Sequence, residues 1–286
     1  MSKTLTAQYR CLECMQRQAD RLVGQLAGTL SDPDHLREEL RALAGPDALG
    51  TPPPLIAAAI YRRAREQSGV PDPYEREKAE STQHALELLP ELRRRIESSN
   101  DPLLSAVQIA IAGNIIDLGP GREFDLLAQI ERAFSIPVHQ PTLERLREEL
   151  AASKQVLYLG DNAGEAVLDR LLMEQIDSQV IYAVRGEPVI NDVTEHEALA
   201  SGIDQVAAIL PTGSDIPGII LDECSLEFRR VFEQADVILS KGQGNYESLS
   251  GTAKPVYFLL VIKCDLVANN LNRRVGDGVL LAANPV

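Results

Sequence analysis

Two rhythms of apolar residues divide the chain. Over residues 5–150 apolar positions recur at helical spacing, broken by proline and glycine. The stretch "SDPDHLREELRALAG" (31–45) offers Ser31 or Asp32 as a helix cap, acidic residues in the first turn, and Gly45 as the stop. After the loop "GPDALGTPPP", Pro54 suits the first position of a helix carrying "LIAAAIYRRARE", and a further helix runs to about residue 97. "NDPLLSAVQIAIAGNIIDLG" (100–119) is expected to be a helix capped by Asp101, opened by Pro102 and ended by Gly119. It is apolar on nearly every face, which predicts burial between layers. Asn114 and Asp117 are its polar exceptions, on one face. No strand pattern occurs in this half.

From residue 154 strands alternate with helices. "QVLYLGDN", "QVIYAVRG", "QVAAILPTG", "ADVILSKGQGN" and "KPVYFLLVIKCD" are short, β-branched and continuously apolar. Such runs between helices of about 10–15 residues predict a parallel sheet covered on both faces. Ligands in such sheets bind at the carboxyl ends of the strands. Those ends carry Asp161 and Asn162, Arg185 and Gly186, Thr212 and Gly213, Lys241 to Asn245, and Lys263 to Asp265. Polar residues therefore collect where the fold rule puts a site.

Composition narrows the function classes. The 286 residues carry a formal charge of −14, which disfavours nucleic acid and anionic membranes as partners. No apolar run of about 18 residues is present, and the opening "MSKTLTAQYRCLEC" lacks a secretory apolar core. Four cysteines in this length make no disulfide framework, so a cytoplasmic setting with reduced thiols is expected. Tryptophan is absent, and with 4% aromatics a base-stacking platform is not expected.

The candidate chemistry lies at the strand ends. Asp161, Asn162 and Asp192 form an oxygen-only ligand set, suited to Mg²⁺ or Mn²⁺ with water and less to zinc. The plainer reading is that Asp161 or Asn162 caps one helix and Asp192 the next; composition does not choose between them. In "SKGQGNYESL" (240–249), Gly242, Gly244 and Lys241 suggest a phosphate cradle. The spacing is neither a P-loop nor a dinucleotide fingerprint, and a glycine turn with Asn245 as cap is the alternative. Lys263 closes an apolar strand, where a lysine wants a carboxylate or an anionic ligand. Cys11 and Cys14 lack the two further ligands that zinc needs and read as thiols on one helical turn. His35, His84, His139 and His196 show no ligand spacing, and no G-x-S-x-G elbow is present.

Taken together, "GDNAGE", "VINDVT", "SKGQGNYE", "KC", "AGNIID" and the early C-x-x-C closely resemble the DUF89 damage-control phosphatases, in the microbial subgroup with the cysteine pair. The resemblance runs over nearly the whole chain. It implies a three-layer α/β/α Rossmann-like domain with a mostly parallel sheet, here residues 101–286, and a mainly helical domain, here 1–100. It also implies metal-dependent hydrolysis of small phosphorylated metabolites, such as sugar phosphates or phosphorylated cofactor intermediates. By that likeness Asp161, Asn162 and Asp192 hold one divalent ion (Mn, Mg, Co or Ni). Lys241, Asn245 and Lys263 match positions that hold phosphate or substrate, and Glu165 matches an acidic position near the substrate. Arg185 belongs to the motifs without an assigned role. Other subgroups carry Arg-Thr-x-Lys where this chain has "LVIK".

The expected mechanism is attack by water, with Glu165 or Asp192 as base. Asp161 is the alternative nucleophile, although the second Asp usual for that chemistry is replaced by Ala163. Two other classes stay open: an S-adenosylmethionine-dependent methyltransferase using "LYLGDNAGE" as its glycine loop, and a non-catalytic phosphometabolite-binding protein. The helical region carries no catalytic motif of its own and is expected to shape the pocket.

Overall fold

The computed structural model describes residues 4–113 and 126–283. Four helices come first: α1 (Tyr9–Leu26), α2 (Pro33–Leu43), α3 (Pro53–Ser68) and α4 (Glu75–Glu97). Then follow α5 (Pro102–Ala112), α6 (Leu126–Phe134) and α7 (Gln140–Ala152). The alternating half contains β1 (Gln155–Leu159), α8 (Ala163–Met173), β2 (Gln179–Val184), α9 (Glu195–Ala200), β3 (Ala208–Pro211) and α10 (Leu226–Gln234). It closes with β4 (Val237–Lys241), α11 (Gln243–Leu249), β5 (Val256–Val261), α12 (Asp265–Leu271) and β6 (Gly278–Ala283). Asp32, not Ser31, caps α2 by accepting from the His35 N–H at 3.0 Å. Asp101 caps α5 through the Leu104 N–H at 3.0 Å. Proline opens α3 at Pro53, one residue earlier than expected.

The six strands form one sheet in the order β3-β2-β1-β4-β5-β6. All pairs are parallel except β5 with β6. The antiparallel edge strand β6 has no counterpart among the five strands read from the sequence. Because side chains alternate along a strand, Val156 and Tyr158 enter one core while Leu157 and Leu159 enter another. The first core is closed by residues of α4 to α9, the second by Phe228 and Phe232 of α10, Tyr246 of α11 and Val267 of α12. This is the expected α/β/α arrangement of three layers.

A third core belongs to α1, α2 and α3. The expected helical region of residues 1–100 therefore does not share one core. Leu88, Leu89, Leu92 and Ile96 of α4 join the sheet-covering layer, and α4 packs on α8. The α1–α3 unit is tied to the strand ends by Arg62 and Arg65, which both pair with Asp215 beyond β3. Among the described residues, no helix is long and apolar enough to cross a membrane, and the four cysteines are free thiols.

Candidate active site

The chain leaves β1 at Gly160, where a Cβ would collide with the Tyr182 hydroxyl and Val193. Asp161 and Asn162 then meet the loop that follows β2. The Val193 N–H donates to the Asp161 carbonyl at 2.8 Å, and the Ala163 N–H to the Asn191 carbonyl at 2.9 Å. These bonds make Asn162 and Asp192 an antiparallel bridge, so two strand ends present their polar residues side by side. Asp192 closes a tight turn onto the Val189 carbonyl at 3.0 Å, and Ile190 within it has φ 48°. A β-branched residue in the left-handed region is strained by about 1–2 kcal/mol. Burial of Val189 and Ile190 against the α1–α3 core offsets that strain. The helical unit thus holds the turn that carries Asp192.

Neither aspartate is there as a cap. Asn162 occupies the N-cap position of α8 but makes no side-chain capping bond. Thr194 caps α9, with Glu197 reaching back to its N–H at 2.9 Å in a capping box. Asn162 Nδ2 instead donates to Asp161 Oδ2 at 3.0 Å and to Glu165 Oε1. Two carboxylate oxygens can face only the amide nitrogen, so the amide oxygen is turned away from them. That oxygen has no protein partner among the described residues, and Asn162 lines the cleft.

The electrostatics are those of crowded carboxylates. Asp161 and Asp192 are 7% and 3% exposed. Burial, then Glu165 and Asp192, push the Asp161 carboxyl up to about 7, against Lys263 and Arg185. Burial also raises Asp192, although Arg185 Nε donates to its Oδ2 at 2.7 Å. Two buried, mutually repelling carboxylates beside an outward amide oxygen fit a hard divalent cation. Among the described residues, no three His, Cys, Asp or Glu side chains could hold a metal by themselves. The 161/162/192 set contains two carboxylates and an amide, and an ion there would need water or substrate oxygens to complete its shell.

The residues expected to bind phosphate separate into two groups. Lys263 is exposed on the cleft and its ammonium makes no ion pair among the described residues. Gly244 also lines the cleft, and its missing Cβ leaves room for the Pro217 carbonyl. Lys241 and Asn245, by contrast, face inward and are fully buried. Lys241 Nζ donates to Asp169 at 2.6 Å and to Glu165 at 3.0 Å. Burial works against its ammonium, but the two carboxylates more than offset this and raise its pKa. Asn245 Nδ2 donates to the Lys241 and Gly160 carbonyls at 2.8 and 3.1 Å, and its Oδ1 accepts from Arg185 at 3.0 Å. Gly242 is no amide donor to phosphate either, since its N–H is bonded to the Leu259 carbonyl at 3.0 Å. Its importance is spatial: a Cβ there would fall inside the Asp161 carboxylate.

Behind the cleft these residues form one buried chain. Tyr158 and Tyr182 donate to Asp169 at 2.8 and 3.0 Å, Asp169 holds Lys241, Lys241 holds Glu165, and Glu165 holds Asn162. Glu165 is 2% exposed and does not line the cleft, which it meets through Asn162. Arg185, which had no assigned role, braces Asp192 against Asn245. Asn114 and Asp117 lie outside the described residues. Gly113 is the last residue before them, and its Cα packs so close to Glu165 that a Cβ would crowd that side chain.

The cleft measures about 1020 Å³ and lies between the strand ends and the first turns of α1 and α3. Two of its residues went unrecognised in the sequence. Gln243 Oε1 accepts from the Lys263 N–H at 2.8 Å, while its Nε2 donates to Glu247 at 2.8 Å. Their spacing of four within one helix was the available signal. Glu247 is 8% exposed, and burial pushes its carboxyl up to about 7. A carboxyl raised in the folded state opposes folding once it ionises, so its penalty is complete above pH 7 and fades toward the unfolded value near 4.5. Glu247→Gln is therefore expected to be about 3 kcal/mol more stable than wild type at pH 8.5 and less than about 1 kcal/mol at pH 5. Urea unfolding at the two pH values checks this; equal differences at both would show that Glu247 is not a buried acid. Cys11, Cys14 and Cys264 line the same cleft, the first two half-buried in α1 as thiols of one turn.

Comparison with known proteins gives the family. The family described as "Damage-control phosphatase ARMT1-like domain" matches residues 7–279. A damage-control phosphatase of Archaeoglobus fulgidus is 39% identical over 233 residues, covering 78% of this chain and 80% of the relative. Another, from Pyrococcus horikoshii, is 31% identical over 287 residues and covers 97% of both chains. The crystal structure of a DUF89 family protein from Pyrococcus horikoshii superposes with a TM-score of 0.87 at 29% identity, over 98% of this chain and 99% of that one. With a matching overall fold and a family match over nearly its full length, this chain belongs to the ARMT1-like (DUF89) damage-control phosphatase family.

Proposed function

We propose that the chain is a divalent-metal-dependent phosphatase acting on phosphate monoesters of small metabolites, such as sugar phosphates or phosphorylated cofactor intermediates. One observation carries the reading: two buried aspartates and an oriented amide share a cleft wall, and neither aspartate caps a helix. Asp161, Asn162 and Asp192 would hold the ion (Mn, Mg, Co or Ni). Such an ion, when bound, supplies positive charge to the phosphate oxygens and acidifies water. The names of the family and of its Archaeoglobus and Pyrococcus members support phosphatase chemistry for this chain.

The chain's own residues do the rest by position. The Lys263 ammonium neutralises a phosphate oxygen, and the Gln243 bond to its backbone fixes where that lysine leaves the strand. Charge in a phosphoryl transition state spreads over its equatorial oxygens, so preorganised cations contribute most. Asp192 faces the cleft and can orient the attacking water. Glu165, the other expected base, is engaged by Lys241 and Asn162 and serves to aim the amide. A cytoplasmic setting goes with the free thiols.

The test is phosphate release from a panel of sugar phosphates and phosphorylated cofactors after chelation, with each metal added back. Wild type is expected to recover activity with at least one metal, and Asp161→Ala to lose it by about 10³-fold or more. Equal release by the variant would remove Asp161 from the chemistry, and phosphate binding without turnover under any metal would replace the enzyme with a binding protein.

A further inference from the structure

Gly242, against which the Asp161 carboxylate rests, is the N-cap of α11, and the cleft wall runs along that helix from Gln243 to Glu247. From Gly242 to Glu247 is five residues, at 1.5 Å per residue roughly 7–8 Å along the helix axis, about the span from a phosphorus atom to the far side of a small leaving group. Glu247 is more than nine-tenths buried, yet it lines the cleft. One oxygen accepts from Gln243 at 2.8 Å. The other has no protein partner among the described residues. Among the described residues, the groups that interact with the Glu247 carboxyl are the Cys11 thiol from α1, the Cys264 thiol at the start of α12 and the Gln243 amide from its own helix, none of them a cation.

The vacant oxygen opens on the cleft, and folding gains nothing from holding a carboxyl group in so buried a place. Its position gives it a use instead. It faces the space beyond the phosphate end, in a cleft whose volume exceeds what inorganic phosphate fills. Burial holds its carboxyl near neutrality, so it can both accept and donate, as a hydroxyl partner does.

We propose that Glu247 reads the leaving group, taking a hydrogen bond from a hydroxyl of a polyol-type phosphate ester. This rests on the phosphatase reading and adds to it the residue that discriminates among leaving groups. Gln243 is then a positioning residue for both ends of the substrate, since it holds Glu247 and the Lys263 backbone together.

Wild type, Glu247→Gln and Glu247→Ala would be assayed with Mn²⁺ on a sugar phosphate, the matching amino-sugar phosphate and p-nitrophenyl phosphate. Glu247→Ala is expected to lower the ratio of kcat/KM for the sugar ester over the aryl ester about tenfold or more, mainly through KM. Glu247→Gln, which still accepts a hydrogen bond, is expected to restore much of that ratio. Kinetic constants that fall equally for both esters would mark Glu247 as structural and overturn the proposal. A wild-type preference for the amino sugar, lost in Glu247→Ala, would overturn the hydroxyl assignment. Calorimetric binding of the sugar phosphate against inorganic phosphate is measured on the same proteins. Without turnover of any ester the phosphatase reading fails, and this binding preference still decides the role of Glu247: its loss in Glu247→Ala upholds the role, and its persistence refutes it.

Discussion

Gly242→Ala is expected to lower phosphate-ester turnover by about two orders of magnitude or more while the protein stays folded. Gly242 has φ 76° and ψ 166°, a region in which only glycine is comfortable. That conformation would be strained by about 1–3 kcal/mol for alanine, which lowers the melting temperature by several degrees. The larger effect is local. The new methyl group would occupy the volume of the Asp161 carboxylate, which must move by an ångström or more. A misplacement of about 1 Å at a reacting centre is enough for about a 10²-fold loss. Steady-state kinetics beside a thermal melt separates the two effects. Near-normal turnover would mean that Asp161 has no fixed part in the chemistry.

Lys241→Met gives the other large effect, and here the expected loss is in stability. The substitution leaves Asp169 and Glu165 buried beneath the site without their cation. Removing one partner of a buried ion pair typically destabilises by about 3–5 kcal/mol. Burial already raises Asp169, with Lys241 as the main opposing influence, so losing Lys241 raises it further. A carboxyl raised in this way opposes folding most above its folded pKa and least near its unfolded value. The deficit should therefore be greatest in alkaline solution and shrink as the pH falls toward 4. Adding Asp169→Asn should recover part of it. If Lys241 gripped phosphate, as its neighbourhood of glycines suggests, the same change would raise KM and leave unfolding in urea unaltered.

Much of the fold is legible in the chain because its central strands are buried on both faces. β1, β2, β4 and β5 are continuous apolar runs for that reason, and their ends name Asp161, Asn162 and Lys263 directly. β6 is less legible: it is an antiparallel edge strand, half-exposed along much of its length. The division of the helices was hidden as well. Nothing in the periodicity of α4 tells whether its apolar stripe meets α1–α3 or the sheet.

At the site, residue type was readable but direction was not. Lys241 ends β4 and Lys263 follows β5 by two residues, yet one ammonium turns into the core and the other to the cleft. Only the carboxylates of α8, brought over by the β1–β4 adjacency, decide which. Asn245 is similar, since its partners Gly160 and Arg185 come from two other strand ends. One signal was available and conclusive: "TEHE" at 194–197 is a capping box, and it makes Asp192 unnecessary as a cap.

The most direct measurement titrates Mn²⁺ into chelator-stripped protein and counts bound ion by electron paramagnetic resonance while phosphate release from one sugar phosphate is followed in the same sample. Release should rise in proportion to bound ion and level off at one ion per chain, and Asp161→Ala should bind none at that affinity. Full release with no ion bound, or one tightly held ion in both proteins, would contradict a metal at Asp161, Asn162 and Asp192.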